Sequence, residues 1–168
     1  HYCGDVPYLG GNTNISIEQV AGAIGSGGFH ILAGLEGGYV AEQMADRAGA
    51  TVHKVEMLQL ADEKYPIRAE RLEDALAAAA GEKPVERIGL LTPRQVIPDG
   101  IVHYLNCLVG AENVVDAQLP FFHIKYEKSN DEMRLIKDAN VIADAMMRSM
   151  LAVLKPGLLE TQIAAWAY

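Results

Sequence analysis

The sequence contains little cysteine, few aromatic side chains and no long apolar run. Its two cysteines, Cys3 and Cys107, lie far apart, which argues against a disulfide framework and against a paired metal-ligand spacing. No run of apolar residues approaches the roughly 18 to 20 that a membrane-spanning helix needs. The opening residues lack the basic and then apolar pattern of a secretory signal. We therefore expect a cytoplasmic protein with no membrane partner.

Basic residues are also scarce. The chain has 14 lysines and arginines against 22 aspartates and glutamates, which gives a formal net charge of −8. The basic residues are scattered along the chain, and a protein with this charge balance repels a phosphate backbone. The composition therefore argues against nucleic acid as a partner.

Short apolar runs alternate with helical patterns from Phe29 onward. The runs predict strands at residues 29–33, 50–55, 87–91 and 113–117, and the helical patterns predict helices at 40–48, 72–80 and 98–109. In the first helix Val40, Met44 and Ala48 are spaced for one buried face. We therefore predict an α/β fold with a mixed, mostly parallel sheet flanked by helices.

Two shorter segments have simpler interpretations. The glycines that precede the first predicted strand do not spell a dinucleotide-binding or P-loop motif, so they predict a turn; they are Gly22, Gly25, Gly27 and Gly28. Residues 121–126 are apolar but short and not periodic, which leaves a strand and an extended linker both open.

The clearest local signal lies between Ser129 and Tyr168. Ser129-Asn130-Asp131-Glu132 has the form of a capping box, which marks the start of a helix. Residues at spacings of three and four then predict one long helix with a stripe along one side, formed by Met133, Ile136, Asn140, Ala143, Met147, Met150 and Leu154. Lys155-Pro156-Gly157 ends that helix, and a second helix, truncated at Tyr168, is expected to begin near Glu160.

This region resembles the junction between the two domains of the creatinase, aminopeptidase P and prolidase family, the pita-bread metallopeptidases. The family's junction runs Lys-Ser-x-x-Glu, an aliphatic pair, an alanine-rich helix, Leu-x-Pro-Gly, a Glu-Thr pair and an apolar helix. The matching residues here, in the same order, are Lys128-Ser129-Asn130-Asp131-Glu132, Leu135-Ile136, Ala139, Ile142-Ala143-Asp144-Ala145, Leu154-Lys155-Pro156-Gly157, Glu160-Thr161 and Ile163-Ala164. The order and spacing of these pieces together carry the resemblance.

The resemblance implies a division of the chain. Residues 1–127 would form a creatinase-like α/β N-terminal domain, incomplete at its N-terminus. Residues 128–168 would form the junction helix and the start of a catalytic domain that is otherwise absent. Tyr2-Cys3-Gly4 is similar to the family's early Tyr-Leu-Thr-Gly segment, so His1 and Tyr2 are the residues that we expect beside a substrate pocket.

The resemblance also implies where the chemistry lies. In this family two divalent metal ions, of the manganese, cobalt or zinc class, are held by two aspartates, a histidine and two glutamates of the catalytic domain. None of those motifs occurs in this sequence. We therefore expect no catalytic residue, cofactor or metal ligand in this chain.

The ionisable residues of the chain support simple structural interpretations. The five histidines are dispersed, with no pair at the four-residue spacing that places two imidazoles on one helix face; they are His1, His30, His53, His103 and His123. We expect His30 and His53 to be half-buried structural or surface residues, and His103 to be solvated. The acidic residues that open the second helix are expected to stay in solvent; they are Glu70, Glu73 and Asp74.

The function implied by the resemblance is hydrolysis of a C–N bond by the parent protein, as an Xaa-Pro aminopeptidase or dipeptidase. This chain alone would not be an enzyme. It would shape the entrance for a peptide or small-molecule substrate, contact its own catalytic domain and support a homodimer. A creatinase-like amidinohydrolase is the alternative within the family, and a free-standing α/β binding or oligomerisation module is the alternative from another class.

Overall fold

The computed structural model describes residues 4–11, 19–59 and 69–167, and the chain divides into two compact units, residues 1–120 and 121–168. The described residues form seven helices and five strands, which confirms the α/β class. The helices are α1 (Asp5–Gly10), α2 (Leu35–Ala48), α3 (Leu72–Ala79), α4 (Asp99–Val109), α5 (Gln118–Tyr126), α6 (Asn130–Val153) and α7 (Glu160–Ala164). The strands are β1 (Val20–Gly25), β2 (Gly28–Ala33), β3 (Thr51–Lys54), β4 (Ile88–Leu90) and β5 (Val114–Asp116).

The first sheet is a mixed sheet of three strands in the order β1-β2-β3. β1 and β2 form an antiparallel hairpin whose last pair is Gly25 with Gly28, so Ser26 and Gly27 make a two-residue turn. Gly28 follows with a φ of 110°, which favours glycine. The glycine cluster is therefore only partly a turn, because Gly22 and Gly25 lie within a strand that the sequence analysis did not predict.

The parallel pairs follow the predicted strand and helix alternation. β2 pairs in parallel with β3 after the crossover through α2, and β4 pairs in parallel with β5 after the crossover through α4. The described strands nevertheless fall into two sheets, one of three strands and one of two. The described residues therefore confirm the α/β class and the parallel pairing of the predicted strands, but the strands form two small sheets where one was predicted.

Side-chain alternation along β2 places helices on both faces of the first sheet. Phe29 and Ile31 point to one face, where both lie against Gly10 of α1. Leu32 points to the other face and joins the buried core with residues of α3, α4 and both sheets. That core consists of Leu32, Val55, Leu58, Leu72, Ala75, Leu90, Leu105 and Val114.

Helix α2 packs through small residues. Its buried side chains include Leu35, Ala41 and Ala45, whereas Val40 is exposed and Met44 is only partly buried. The predicted buried face is therefore wrong, although the helix exists and ends at Gly49 with a φ of 61°.

Helix α2 buries small residues instead of the predicted larger ones because it lies close to β3. A Cβ atom on Gly38 would lie 2.5 Å from Cγ of Lys54, so a larger residue at this position would force the lysine side chain or the helix to shift. Lys54 then extends along α2, with its Nζ 2.7 Å from Oε1 of Glu42 and 3.7 Å from the centre of the Tyr39 ring.

The second unit is helical. Residues 121–126, for which strand and linker were both open, belong to helix α5, so neither interpretation is correct. Pro120 lies in the first turn of α5, where proline is tolerated because its missing amide hydrogen has no partner within the helix. Lys125 lies in the last turn, where its positive charge interacts favourably with the negative end of the helix dipole. The predicted long helix and the helix that begins at Glu160 are both present as α6 and α7.

We predict that Gly25→Ala destabilises the first unit, because a Cβ atom at Gly25 would collide with the backbone carbonyl of Ala79 at the end of α3. The expected loss in the free energy of unfolding is about 1–3 kcal/mol. The control is Gly100→Ala in α4, where nothing lies within 4 Å of the added Cβ and the helix should gain about 0.4–1 kcal/mol. Urea unfolding of both variants measures the difference, and equal stability of the two would contradict the packing described.

Candidate functional site

Helix α6 begins at the predicted capping box. Oγ of Ser129 accepts a hydrogen bond from the amide of Glu132 at 3.2 Å, and Oε2 of Glu132 accepts one from the amide of Ser129 at 2.7 Å. Two amides that the helix itself cannot pair are thereby satisfied. Asp131 and Glu132 also place negative charge at the positive end of the helix dipole. The start of α6 is therefore determined by local chemistry.

The end of α6 and the start of α7 are also determined locally. Leu154 leaves the helical conformation, and Pro156 and Gly157 form the turn, the glycine with a φ of 93°. The amide of Leu159 then donates to Oε1 of Gln162 at 2.9 Å, which satisfies one amide at the start of α7. A 3₁₀ turn, Ala165–Ala167, follows α7.

The predicted stripe on α6 lies at the surface. None of the helix residues is buried, and the large apolar side chains of the stripe are exposed except for Met150, which is partly buried. The exposed members with large apolar side chains are Met133, Ile136, Met147 and Leu154. The stripe therefore does not form a core within the described chain.

A second apolar face lies on the other side of α6. Val141 and Ile142 are 70% and 62% exposed, and they line an open groove of about 540 Å³. The remaining lining residues are Ala145, Met146, Ser149, Trp166 and Ala167. Ala145 follows Ile136 of the stripe by nine residues, or about two and a half turns, so the groove and the stripe lie on opposite sides of the helix. We call them the groove face and the stripe face.

The two faces together identify a candidate interface. A surface helix of a globular protein normally shows one apolar stripe, whereas a helix that is apolar on opposite sides is normally buried within a larger body. Exposed apolar patches of this kind mark interaction sites. The residue spacing predicted the stripe face but not the groove face, because Ile142 and Ala145 belong to the alanine-rich match and Val141 was not placed in a periodic series.

Two histidines from neighbouring strands meet inside the first unit. His30 and His53 are only 5% and 8% exposed. The pairing of Leu32 with His53 in the parallel β2–β3 ladder places both imidazoles on the same face of the sheet, two positions apart. Nδ1 of His30 lies 2.8 Å from Nε2 of His53. The expectation of half-buried or surface histidines is therefore wrong, since both side chains are buried.

The outer nitrogens of this pair have acceptors of their own. Nε2 of His30 lies 3.3 Å from the carbonyl oxygen of Gly27, and Nδ1 of His53 lies 2.6 Å from Oε2 of Glu70. The carbonyl, the two imidazoles and the carboxylate thus form one continuous chain of hydrogen bonds, which we call the histidine chain. His30 and His53 each lie in a predicted strand, and this could have indicated that they share a face of the sheet. Nothing in the sequence pointed to Glu70 as their partner.

The acidic residues before and within α3 are not all solvated as expected. The Glu70 side chain is 49% exposed but binds His53, and the backbone of Glu70 forms an isolated bridge with Val55. Glu73 accepts a hydrogen bond from the Tyr104 hydroxyl and pairs with Arg71. The prediction of a solvent position is therefore wrong for Glu73, which is partly buried between Arg71 and Tyr104. Glu70 and Asp74 are exposed as predicted, although Glu70 also binds His53.

The remaining predicted site residues do not form a cluster in the described residues. His103 is exposed on α4 as expected, with Nε2 3.7 Å from Sγ of Cys107. His123 is exposed on α5. His1 and Tyr2, the predicted residues beside a substrate pocket, lie outside the described residues.

Within residues 4–11, 19–59 and 69–167, no group of three or more His, Cys, Asp or Glu side chains is placed to hold a metal ion. No helix in the described part of the chain combines the length and the apolar content needed to cross a bilayer.

Comparison of the chain with protein-family models, with curated proteins and with solved structures found no significant match in any of the three.

We predict that the groove face contributes little to the stability of the chain by itself. The double variant Val141→Gln with Ile142→Gln should change the free energy of unfolding by less than about 0.5 kcal/mol, since both positions are exposed and glutamine favours helix. It should also lower the binding of a hydrophobic dye. The control is Leu105→Ala in the buried core, with an expected cost of about 2–5 kcal/mol. A loss from the double variant as large as that of the control, measured by urea unfolding, would show that the groove is filled.

Proposed function

We propose that this chain is the non-catalytic N-terminal domain and the domain junction of a metal-dependent C–N hydrolase of the creatinase, aminopeptidase P and prolidase family. The parent enzyme would be an Xaa-Pro aminopeptidase or dipeptidase. The observation that carries the proposal is helix α6, which begins at the capping box of Ser129 and Glu132, ends before Pro156-Gly157 and exposes apolar side chains on two opposite sides. These are the residues that carry the family resemblance.

The two faces of α6 support a role as a helix placed between other bodies. In the proposal the catalytic domain covers apolar side chains of α6 and α7, which removes them from water at roughly 25 cal/mol for each Å². The α/β unit that precedes the junction then forms a wall of the substrate entrance and a contact in a homodimer. Access would be restricted to peptides with a free N-terminus or to dipeptides.

The catalytic chemistry belongs, in this proposal, to the domain that follows the junction. Two divalent ions of the manganese, cobalt or zinc class would activate a water molecule there. The described residues do not fit that group. The inner nitrogens of His30 and His53 face each other at 2.8 Å, and the carboxylate beside them is bound to an outer nitrogen. Hard carboxylate ligands in the number that such a centre requires are not gathered in the described residues.

The reading frame beyond Tyr168 tests the proposal most directly. We expect it to continue for the length of a further domain, with spaced Asp, Asp, His, Glu and Glu residues. A stop codon directly after Tyr168 would contradict the proposal and support the free-standing binding or oligomerisation module.

Activity of the complete protein provides the second test. With manganese added, the complete protein should hydrolyse Xaa-Pro peptides, and the isolated chain of residues 1–168 should not. The matched substrate is creatine, since hydrolysis of creatine without Xaa-Pro cleavage would replace the proposed peptidase with the amidinohydrolase alternative. Turnover by the isolated chain would contradict the non-catalytic role.

A further inference from the structure

The geometry of the histidine chain determines how many hydrogens it must contain. The carbonyl oxygen of Gly27 can only accept, so Nε2 of His30 carries a hydrogen. The contact between Nδ1 of His53 and Oε2 of Glu70 also needs one hydrogen, whichever atom holds it. The inner contact between the two imidazoles needs a third.

The inner contact is a head-on contact between two ring nitrogens. The ring planes differ by 21°, the ring centres lie 5.1 Å apart and the two nitrogens only 2.8 Å apart. The nitrogens therefore lie between the two centres, and their in-plane lone pairs point at each other. Without a hydrogen between them, two acceptors would face each other at hydrogen-bond distance.

Two neutral imidazoles and one carboxylate supply only two hydrogens to three contacts. The complete chain therefore contains one more proton than these neutral rings and this carboxylate carry by themselves. With that proton, the net charge of the two rings and the carboxylate is zero, which suits their buried position. His30 and His53 are almost fully buried, so water has little access to the inner contact, whereas the Glu70 carboxylate is 49% exposed.

Among the described residues, the other charged groups on the neighbouring elements have partners of their own or lie in solvent, as Glu56 beside the Glu70 backbone does. On β3, Lys54 points to the opposite face and pairs with Glu42. At the start of α3, Glu73 is bound to Arg71 and Tyr104. Arg71 and Asp74 line a small cavity of about 240 Å³ beside Glu70, where their opposite charges balance, and β1 carries no ionisable side chain.

We propose that the histidine chain is a shared-proton site that fastens the segment before α3 to the first sheet in a pH-dependent way. Glu70 is the link, because its side chain binds His53 while its amide donates to the carbonyl of Lys54 at 2.7 Å and its carbonyl accepts from the amide of Glu56 at 3.1 Å. The half-exposed carboxylate of Glu70 connects the buried pair to solvent. Loss of the shared proton leaves one of the three contacts without a hydrogen and weakens the fastening.

The sign of the pH dependence follows from the proton count. The imidazoles of an unfolded chain are largely neutral above about pH 7.5, whereas the three contacts of the histidine chain need one proton more than its neutral rings and carboxylate hold. Because the folded state binds more protons, stability falls as the pH rises, and the unfolding equilibrium constant increases by up to about tenfold for each pH unit. The increase ends at the pH where the folded chain has lost the proton too.

The matched test is Glu70→Gln against the wild-type protein. A glutamine amide can donate to Nδ1 of His53, so Nε2 of His53 donates to His30 and Nε2 of His30 donates to Gly27. All three contacts are then satisfied by neutral rings. Urea unfolding at intervals from pH 7.5 to 9 should show the wild-type loss of stability, and the Glu70→Gln variant should lack it. His103→Gln serves as the histidine control and should keep the wild-type dependence, because His103 is exposed on α4.

A measurement on the wild-type protein avoids dependence on any variant. In proton NMR of the nitrogen-15-labelled protein, one strongly deshielded imidazole hydrogen, shared by His30 and His53, should appear near neutral pH. Its signal should disappear as the pH is raised. Identical pH dependence of the wild type and Glu70→Gln would overturn the proposal, as would two rings that remain neutral from pH 6 to 9. Retention of one equivalent of Zn²⁺ after dialysis, with the inner nitrogens as ligands, would also overturn it in favour of a metal site.

Discussion

A helix that is apolar on two opposite sides can be removed from water only when it lies between two other bodies. In α6 this constraint cannot be met by α7 and the following 3₁₀ turn, since the groove that they form with α6 stays open and Val141 and Ile142 remain exposed. The capping box and the Pro156-Gly157 turn determine the length of α6 without help from a partner. Both faces are therefore formed before any contact is made, which reduces the ordering cost of that contact.

The first unit is held together in a different way, because small residues let its helices and strands approach each other closely. Gly38 lets α2 lie against Lys54, Gly25 lets the β1–β2 hairpin lie against the end of α3, and Gly10 lets α1 lie against Phe29. Each contact replaces a side chain by backbone and so brings two layers nearer than larger residues would allow. This explains how a sequence with few aromatic residues still forms a buried core.

The features that the sequence predicted well are those with local causes. Ser129 and Glu132 satisfy each other's amides three residues apart, and Gly49 adopts the left-handed conformation that ends α2. The buried face of α2 was not predicted, because spacing alone favours the large Val40 where the available space favours Ala41. The histidine chain could not be predicted from the sequence either, since Glu70, the partner of His53, lies 17 residues away and is positioned by a single β-bridge.

The histidine chain and the two faces of α6 respond to different variables. Contacts of apolar surface do not change with protonation, so the stripe face and the groove face keep their character across the physiological pH range. The histidine chain depends on a single proton within a core of eight buried apolar residues. In a protein whose net stability is a small difference between large terms, one buried contact left without its hydrogen removes a noticeable share of that stability. In the proposed histidine chain a rise in pH therefore acts on the first unit through Glu70, while the two apolar faces of α6 are unchanged.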